Sequence, residues 1–450
     1  MNRKIPAFII LFSTVLLLSS CLKDDEDTTT YYHDTAITSF SVGTLKSLDK
    51  TTSSGAAASV NCSSYKFYID QANHLIYNVD SLPYHVDASK VVASISTKNS
   101  GVLGLKSLTS DSILYYSGTD SVDFTKPRTF YVYAPDYSAY STYQIKVNVH
   151  QQEGNEFKWQ EMGIVSEFTS LNTMKTVVNG TKIYMFGTVG NRLHIYSSST
   201  EDGAKWQEGA KWQEIETTFP ASVAQNVVVY DGNLYTLNGN QLIKSEDAKN
   251  WQTVSEVTLD RLVAAGTLRL FGVSADKLMQ SRDGGKSWEV DAQSGEADLP
   301  ENYTGYAAVV ALTNDSTETV MVVGTKDSVV VWNKISEYSQ NSENQEWSKI
   351  NAQFLYDKGN SRLKVSEYPK QMIITRYADG AIGLASDGYF YYTENGGLHW
   401  LCSSSVEAPV QIQSVAALTK DEKNFLWLVD GTTGKVWKGR HNNQGWAIKN

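Results

Sequence analysis

Cysteine is scarce in this chain: its 450 residues include only three, Cys21, Cys62 and Cys402. Cys21 has a separate explanation, given below, and Cys62 and Cys402 lie far apart and are expected in different domains. We therefore expect no disulfide framework, even in an oxidising compartment. We interpret Cys62 and Cys402 as buried or half-buried thiols.

Positive charge is also limited. The chain has 39 Lys and Arg against 49 Asp and Glu, which gives a formal net charge of −10 at pH 7. A nucleic-acid-binding surface needs clustered Lys and Arg. We therefore expect no nucleic-acid partner.

The motifs of several enzyme classes are absent. The seven histidines show neither H-x-H nor H-E-x-x-H spacing, and no cysteine pair offers a metal site. The sequence contains no G-x-S-x-G elbow and no phosphate-cradling loop. We therefore predict no catalytic residue, no metal and no cofactor. Acidic residues are scattered along the sequence rather than paired. Folding can bring distant carboxylates together, so a catalytic pair of carboxylates far apart in the sequence stays an open alternative.

The N-terminus has the pattern of a bacterial lipoprotein signal peptide. A basic start at Arg3 and Lys4 precedes an apolar run from Ile5 to Leu18, which is too short for a comfortable transmembrane helix. The run ends in Leu-Ser-Ser-Cys, which resembles a bacterial lipobox and implies lipid attachment at Cys21. We predict a signal peptide over 1–20 and an acidic tether over 21–33.

The residues after Cys21 indicate the location of the protein. Lys23, Asp24 and Asp25 resemble the surface-export signal of Bacteroides-type lipoproteins. We therefore expect a protein anchored in the outer membrane through its N-terminal lipid and exposed at the cell surface. Acyl chains provide that anchoring by burying CH₂ groups in the bilayer.

Residues 34–150 are predicted to form a β-sandwich. Ile37 to Val42 alternates apolar and polar residues, and about six similar short runs follow without helical periodicity. The segments Val122 to Pro127, Phe130 to Ala134 and Tyr143 to Val147 resemble the end of the Ig-like modules of Bacteroides surface lipoproteins. That resemblance implies a spacer or stalk, with direct ligand binding as the alternative.

Residues 155–450 contain a repeat. A tryptophan next to a strand-like run recurs at intervals close to the length of a four-stranded propeller blade. The repeated tryptophans are Trp159, Trp212, Trp251, Trp288, Trp347, Trp400 and Trp446. Six full units follow Trp159, which could pair as an extra or closing strand. The expected fold is thus all-β, an Ig-like β-sandwich followed by a β-propeller of six blades, with seven as the alternative.

One turn motif recurs within the propeller. Ser281, Asp283, Gly285 and Trp288 follow the pattern S-x-D-x-G-x-x-W, which resembles the Asp-box of sialidase-type propellers. A second copy has Asn in place of Asp and consists of Thr393, Asn395, Gly397 and Trp400. Shorter copies begin at 200 and 245, and the first lies beside a tandem GAKWQE duplication over 203–214. The resemblance implies a folding element at the blade periphery and no catalytic role for Asp283.

The resemblance to sialidases also raises an enzyme hypothesis. Sialidase chemistry needs several arginines for the substrate carboxylate, a Tyr–Glu nucleophile pair and an acid. The propeller contains few arginines, and no Arg-Ile-Pro motif marks its first unit. One of these arginines could still reach a central pocket. The sequence therefore disfavours a sialidase without excluding one.

The whole chain resembles a Bacteroides-type surface lipoprotein of an uncharacterised family. We hypothesise a non-catalytic binding module whose propeller face takes a glycan or an envelope protein. Candidate residues for that face are Trp332, Tyr389, Tyr391 and Trp427, although aromatic residues also pack between blades. The alternatives are a glycoside hydrolase or lyase on a sialidase-like propeller, and a scaffold subunit of an envelope complex.

Overall fold

A computed structural model describes residues 32–201, 212–295, 298–311, 314–337, 345–358, 361–412 and 415–446. The chain divides into two compact units, with the boundary between Glu153 and Gly154. Nearly all regular structure in the described residues is strand. The helices are short 3-10 turns at Lys98–Ser100, Ser166–Ser170, Ala221–Asn226 and Asn442–Gly445. None of the described helices is long and apolar enough to cross a membrane.

The first unit contains ten strands among its described residues. They are β1 (Ile37–Val42), β2 (Thr44–Thr51), β3 (Ala57–Asn61), β4 (Phe67–Asp70), β5 (Leu75–Asn78), β6 (Ala93–Thr97), β7 (Val102–Lys106), β8 (Ile113–Tyr115), β9 (Arg128–Tyr133) and β10 (Tyr140–Lys146). Six form one sheet in the order β4-β5-β10-β9-β7-β8, while β1 pairs with β6 and β2 with β3. The β5–β10 pair is parallel and the other pairs are antiparallel.

One apolar core serves all three sheets of the first unit. Along β10, Tyr143 and Ile145 are buried while Thr142, Gln144 and Lys146 are exposed, which is the period-2 alternation expected of a half-buried strand. Phe40 of β1 packs its ring against Phe67 of β4, at 4.7 Å between centroids. Each fully buried side chain of this kind contributes about 1.5 to 3 kcal/mol. The unit is thus a β-structure with a continuous core, and its Ig-like assignment stays a prediction.

The described part of the second unit forms six sheets, each with at least four strands. The first sheet is β12 (Thr173–Asn179), β13 (Lys182–Val189), β14 (Arg192–Ser199) and β15 (Gln213–Ile215). The second is β16 (Val228–Tyr230), β17 (Asn233–Asn238), β18 (Gln241–Ser245) and β19 (Gln252–Glu256). The third is β20 (Arg261–Ala265), β21 (Leu270–Ser274), β22 (Lys277–Ser281) and β23 (Glu289–Val290).

The other three sheets follow the same meander. The fourth is β24 (Asn302–Ala311), β25 (Asn314–Thr325), β26 (Val329–Glu337) and β27 (Ser348–Ile350). The fifth is β30 (Met372–Tyr377), β31 (Gly380–Ala385), β32 (Phe390–Thr393) and β33 (His399–Cys402), extended at its outer edge by β28 (Gln353–Lys358) and β29 (Ser361–Lys364). The sixth is β34 (Ala416–Lys420), β35 (Leu426–Asp430), β36 (Lys435–His441) and β11 (Phe157–Ile164).

The six sheets form a closed ring. Their first strands contact one another in the cycle β12, β16, β20, β24, β30, β34 and back to β12. The strand that precedes the first sheet, β11, pairs antiparallel with β36, with Phe157 opposite His441 and Trp159 opposite Gly439. Trp159 therefore belongs to a closing strand, as one reading of its isolated position predicted. The all-β fold with a propeller is confirmed, and six blades stays the predicted number.

Apolar clusters lie between neighbouring sheets. Phe271 and Leu278 of the third sheet pack with Val320, Val322 and Trp332 of the fourth. Because each sheet has a neighbour on both sides, its strands read as nearly continuous apolar runs, as in β31, whose six residues are all buried. This packing fills the space between neighbouring sheets. The first strands of the sheets surround the centre of the ring.

Candidate functional site

The centre of the ring contains a cavity of about 410 Å³. The first strand of every one of the six described sheets contributes to its wall. The lining residues are Met174 to Val178, Val229, Ala265 to Thr267, Thr304 to Ala308, Ile373 to Arg376 and Ala416 to Lys420. Most of them are small or apolar. A concave, mostly apolar site with a few polar groups is typical of a small-molecule binding site.

Three cationic side chains line this cavity: Lys175, Arg376 and Lys420. Arg376 and Lys420 lie on the neighbouring first strands β30 and β34. Burial lowers the pKa of Lys420, and the nearby charge of Arg376 lowers that pKa further. The Lys420 Nζ atom donates 3.0 Å hydrogen bonds to the carbonyl oxygen of Asp421 and to Oδ1 of Asn424. The hydrogen-bond partners of the lysine are thus neutral oxygens, and the nearby charges of Asp421 and Glu422 offset part of the effect of Arg376 on its pKa.

Lys175 lies on the first strand of the first sheet. Its Nζ atom donates a 3.1 Å hydrogen bond to the carbonyl oxygen of Gln225, and no carboxylate within ion-pair distance of it occurs among the described residues. Burial lowers the pKa of Lys175 to about 8. At neutral pH this side chain is therefore still mostly charged, but its charge is poorly compensated. An anionic ligand would relieve that electrostatic deficit.

No Asp or Glu belongs to the described lining of the cavity. The carboxylate of the buried Glu318 lies beside the lining residue Thr267. Its oxygens accept hydrogen bonds from the backbone N–H of Thr267 and from the Thr267 hydroxyl, at 3.0 to 3.1 Å. This carboxylate is satisfied by the turn that carries Thr267. The cavity wall therefore offers positive charge without the pair of carboxyl groups that glycoside hydrolysis requires.

The 281–288 turn connects β22 to β23. The Asp283 Oδ1 atom accepts hydrogen bonds from the backbone N–H groups of Lys286 and Ser287, at 3.0 and 2.9 Å. The Ser281 hydroxyl donates to the same oxygen at 2.8 Å and accepts from the backbone N–H of Gly285 at 2.8 Å. The Ser287 hydroxyl also donates a hydrogen bond to this carboxylate and has the largest effect on its pKa. Together these bonds lower the pKa of Asp283 to about 2. The carboxylate therefore has a local structural role in closing the turn.

The same turn also packs onto the preceding sheet. Gly285 has a φ of +92°, and a Cβ atom there would collide with Leu242 of the second sheet. The Ser255 hydroxyl of that sheet donates a 2.5 Å hydrogen bond to the Gly285 carbonyl oxygen. The glycine thus allows both the backbone conformation and the close approach of two sheets.

A second turn of this kind connects β32 to β33. The Asn395 Oδ1 atom accepts a 3.0 Å hydrogen bond from the backbone N–H of His399, and the Thr393 hydroxyl accepts one of 3.1 Å from the backbone N–H of Gly397. Asn333 of the preceding sheet donates a 2.7 Å hydrogen bond to the Gly396 carbonyl oxygen. Trp400 is fully buried behind this turn. Both turns lie between third and fourth strands, away from the cavity wall, and their kinship to the Asp-box stays a prediction.

Three of the four aromatic residues predicted for a ligand face are buried. Trp332, Tyr391 and Trp427 belong to three different apolar clusters between sheets, while Tyr389 is 60% exposed. Trp332 donates from Nε1 to the Asp298 carbonyl oxygen at 3.2 Å, and Trp427 donates to Oδ2 of Asp421 at 2.9 Å. The structure therefore does not bring the four together on a surface, because a strand between two neighbouring sheets buries the side chains of both its faces.

Other predicted features lie outside the described residues. These are Cys21, the signal peptide, most of the tether, the turn copy from 202 and most of the GAKWQE duplication. Of the two remaining cysteines, Cys62 is buried and Cys402 half-buried, and both are free thiols. No group of three or more His, Cys, Asp or Glu with metal-binding geometry occurs in the described ranges.

Comparison with known proteins gives a family for both units. A family model described as "DUF6242 beta propeller domain" matches residues 153–449, and one described as "Domain of unknown function (DUF6242) N-terminal domain" matches residues 40–147. No curated protein matches the chain.

Several solved structures resemble the chain at low sequence identity. A Trichoderma reesei carbohydrate-active enzyme of family AA12 is 8% identical, with a TM-score of 0.40, over 64% of this chain and 96% of that one. The SapL1 lectin in complex with alpha methyl fucoside is 13% identical, with a TM-score of 0.36, over 59% and 92%. A quinonprotein alcohol dehydrogenase-like protein from Bacteroides thetaiotaomicron is 9% identical, with a TM-score of 0.31, over 84% and 94%.

Proposed function

The chain belongs to the DUF6242 family, with a β-propeller as its C-terminal domain, and from this premise we propose that the propeller is a non-catalytic binding module. Its ligand is an acidic glycan, whose carboxylate or sulfate group enters the central cavity. The observation that carries the proposal is the cavity wall, which contains Lys175, Arg376 and Lys420 and no Asp or Glu among its described residues.

The charge pattern supports an anionic ligand. Arg376 and Lys420 repel each other, and Lys175 has only a carbonyl oxygen as its described partner. An anion near these groups adds hydrogen bonds to a negatively charged acceptor, which Lys175 and Lys420 lack among their described partners. A guanidinium also offers paired donors that suit a carboxylate. Small lining residues, such as Ala307 and Ala416, leave room for a sugar ring beside the charged group.

The same wall argues against hydrolysis at this site. Retaining and inverting glycosidases place two carboxyl groups on opposite sides of the scissile bond. The described part of the cavity lining provides no carboxyl group. A sialidase would also need more arginines than Arg376, the single one in this lining. The hydrolase alternative therefore requires a catalytic pair elsewhere in the chain.

A binding screen with matched variants tests the proposal. The mature chain without its lipid, starting at Asp34, is applied to an array of acidic and neutral glycans, beside a reducing-sugar release assay. We expect saturable binding to acidic glycans, at least a tenfold loss in Arg376→Met and Lys420→Met, and no loss in Lys182→Met, whose lysine is exposed on β13. Sugar release would contradict the non-catalytic role, and binding that ignores Arg376 and Lys420 would contradict the site.

The location of the protein is part of the same proposal. The lipobox-like sequence ending at Cys21 and the Lys-Asp-Asp sequence after it support a lipid-anchored protein on the outer surface of the outer membrane. Metabolic labelling with palmitate should mark the wild type and not Cys21→Ser. Protease added to intact cells should degrade the labelled protein, and full protection from protease would contradict surface exposure.

A further inference from the structure

One face of the six-stranded sheet in the first unit is covered with tyrosines. This tyrosine face consists of Tyr68, Tyr77, Tyr115, Tyr131, Tyr133 and Tyr140, and it spans strands β4 to β8 in the order given above. Their neighbours along each strand, such as Phe130, Val132 and Tyr143, point to the core instead. Since side chains alternate between the two faces of a strand, all six tyrosines lie on the face opposite the core.

The pairing register places the tyrosines side by side. Tyr133 is opposite Tyr140, Tyr131 is opposite Gly104, and Gly104 is opposite Tyr115. The ring centroids of Tyr133 and Tyr140 are 5.6 Å apart, and those of Tyr131 and Tyr140 are 5.7 Å apart. At one end, Tyr68 and Tyr77 stack at 6.2 Å. The rings therefore form a central cluster of Tyr131, Tyr133 and Tyr140, with the Tyr68–Tyr77 pair towards one edge of the sheet and Tyr115 on the strand at the other edge.

A glycine, Gly104, lies near the centre of this surface. A Cβ atom at Gly104 would approach the Ile113 side chain to 2.6 Å and the Tyr133 ring to 3.4 Å. Because Gly104 has no side chain, Ile113 and Tyr133 lie across its backbone. Tyr137, from the loop after β9, adds its ring beside Tyr133 at 6.0 Å between centroids. A glycine in the middle of a strand thus allows neighbouring side chains to cover the sheet.

The tyrosine face is exposed. Tyr115 is 72% and Tyr140 is 61% exposed, and Tyr68 and Tyr137 are also exposed. Among the described residues, no hydrogen bond uses the hydroxyl group of any tyrosine on this face. A large exposed aromatic patch is typical of an interaction surface. Tyrosine suits such a surface because it combines a rigid apolar ring with a polar tip.

The middle of the face carries no charge. The residues between the tyrosines are Thr129, Thr142 and Gln144, and Gln144 donates a 3.1 Å hydrogen bond to the Thr129 hydroxyl. Charged side chains on this face occur towards the ends of the strands, at Asp70, Lys106 and Lys146, and Lys146 is the register partner of Tyr77. An acidic or basic ligand would find no counter-charge in this region. The surface therefore fits a neutral partner with both C–H faces and hydroxyl groups.

We propose that the tyrosine face binds a neutral polysaccharide chain, which lies across strands β5, β10, β9, β7 and β8. The C–H face of each sugar stacks on a tyrosine ring, and its hydroxyl groups bond to the free phenols and to Thr142 and Gln144. The four steps between these strands span roughly 19 Å, which is long enough for several sugar rings. This site lies in a different unit from the cavity of the propeller and does not depend on the proposed function.

The two proposed sites are expected to bind different ligands. The cavity, with its three cations, selects an acidic group, whereas the tyrosine face selects a neutral chain. The expected spacer role of the first unit then gives way to the alternative, direct ligand binding. Loss of one activity should leave the other unchanged, so failure of either proposal can be recognised separately.

Native affinity electrophoresis of the full mature chain tests the inference. Separate gels contain starch, dextran, yeast mannan, xyloglucan or galactan. We expect at least one polysaccharide to retard the wild type, and Tyr137→Ala/Tyr140→Ala to lose at least tenfold in affinity for it. Tyr137→Phe/Tyr140→Phe should retain most of the binding, because stacking needs the ring and not the hydroxyl. Tyr368→Ala is the matched control, since Tyr368 is an exposed tyrosine on the other unit.

A second variant protects the test against a folding defect. Tyr115→Ala changes a residue of a different strand, and the Tyr115 side chain is more exposed than those of Tyr137 and Tyr140. It should also weaken retardation while the near-UV spectrum stays native. The proposal is overturned if none of the five gels retards the wild type, or if both alanine variants bind as the wild type does. A concentration-dependent dimer that disappears in the alanine variants, without retardation, would instead assign the face to a second copy of the chain.

Discussion

The Nζ atom of Lys438 donates a 2.7 Å hydrogen bond to the carbonyl oxygen of Thr200. Lys438 lies on β36 in the sixth sheet, and Thr200 directly follows β14 in the first, so this buried bond joins the two ends of the ring. The ammonium group also lies 3.5 Å from the Asp421 carboxylate and over the rings of Phe425 and Trp427. Only the hydrogen bond to Thr200 crosses to the first sheet, whereas the ion pair and the two cation–π contacts hold the ammonium group within the sixth sheet and its β34–β35 connection.

Lys438→Met should destabilise the propeller. It leaves the Asp421 carboxylate buried with the Trp427 indole and backbone N–H groups as partners but without its cation. Removal of one member of a buried ion pair typically costs about 3 to 5 kcal/mol. Denaturant unfolding followed by tryptophan fluorescence measures the change. Lys435→Met is the control, since its pair with Glu161 is exposed and exposed pairs contribute little. Equal effects in both variants would contradict the role of Lys438.

Asp283→Ala should weaken the 281–288 turn. The substitution removes the acceptor of the Lys286 and Ser287 backbone N–H groups, and we expect a loss of about 1 to 3 kcal/mol. Asp283→Asn should be milder, since Asn395 provides the same acceptor in the other turn. Ligand binding at the cavity should be unchanged in both. A loss of binding without a loss of stability would contradict the structural role.

The same carboxylate should contribute to acid sensitivity. The pKa of Asp283 is lowered to about 2 in the fold, below its ordinary value of 3.8. Its contribution to stability is therefore complete above pH 4 and is lost as the pH falls towards 2. Stability curves between pH 2 and 6 should be less steep for Asp283→Asn than for the wild type. Parallel curves would show that the carboxylate has no such role.

Replacing each of two adjacent glycines with alanine distinguishes the effect of backbone strain on stability from the effect of packing. Gly284 and Gly285 both have positive φ, but only a Cβ at Gly285 collides with Leu242. Gly284→Ala should therefore cost about 1 kcal/mol from backbone strain. Gly285→Ala should cost about 1 to 3 kcal/mol more, because it overpacks the contact between the second and third sheets. Similar thermal midpoints for the two variants would refute the packing argument.

Binding of an acidic ligand should depend on the charge of Lys175. Its pKa is lowered to about 8, so affinity should fall as the pH rises from 7 to 9. Without ligand the effect is opposite: the unfolded chain holds this proton up to a higher pH, so folding stability increases with pH between about 8 and 10.5. Lys175→Met should remove both dependences. Calorimetric titration and thermal unfolding across this range measure them, and a pH-independent affinity in the wild type would contradict the prediction.

The sequence predicted the repeating units because the repeat is local. Each unit ends near a tryptophan, and turn residues such as Asp283 and Asn395 bond within their own loop, so the pattern is visible in a short window. In the first unit, β2 (Thr44–Thr51) and β3 (Ala57–Asn61) were not predicted. Most residues of β2 are polar and exposed, and β3 has Val60 as its one large apolar residue, so neither strand shows the apolar alternation on which a strand prediction depends.

The two proposed binding surfaces depend on contacts that no short window of sequence contains. Lys175, Arg376 and Lys420 come together only because the ring places their strands around one cavity. Tyr131 and Tyr133 show their alternation in sequence, but their proximity to Tyr115 follows from the strand order. Conversely, Trp332 and Trp427 look the same in sequence as exposed aromatic residues would, and burial by the neighbouring sheet decides their role.

The pairing of β11 with β36 has a consequence for the synthesis of the protein. Phe157 must remain unpaired until His441 has been made, since these two residues are register partners at opposite ends of the propeller. Contacts so distant in sequence form slowly, and an unpaired strand edge invites association with other chains. A ribosome stalled before β36 would therefore release a chain whose ring cannot close, and such fragments should depend on chaperones to stay soluble.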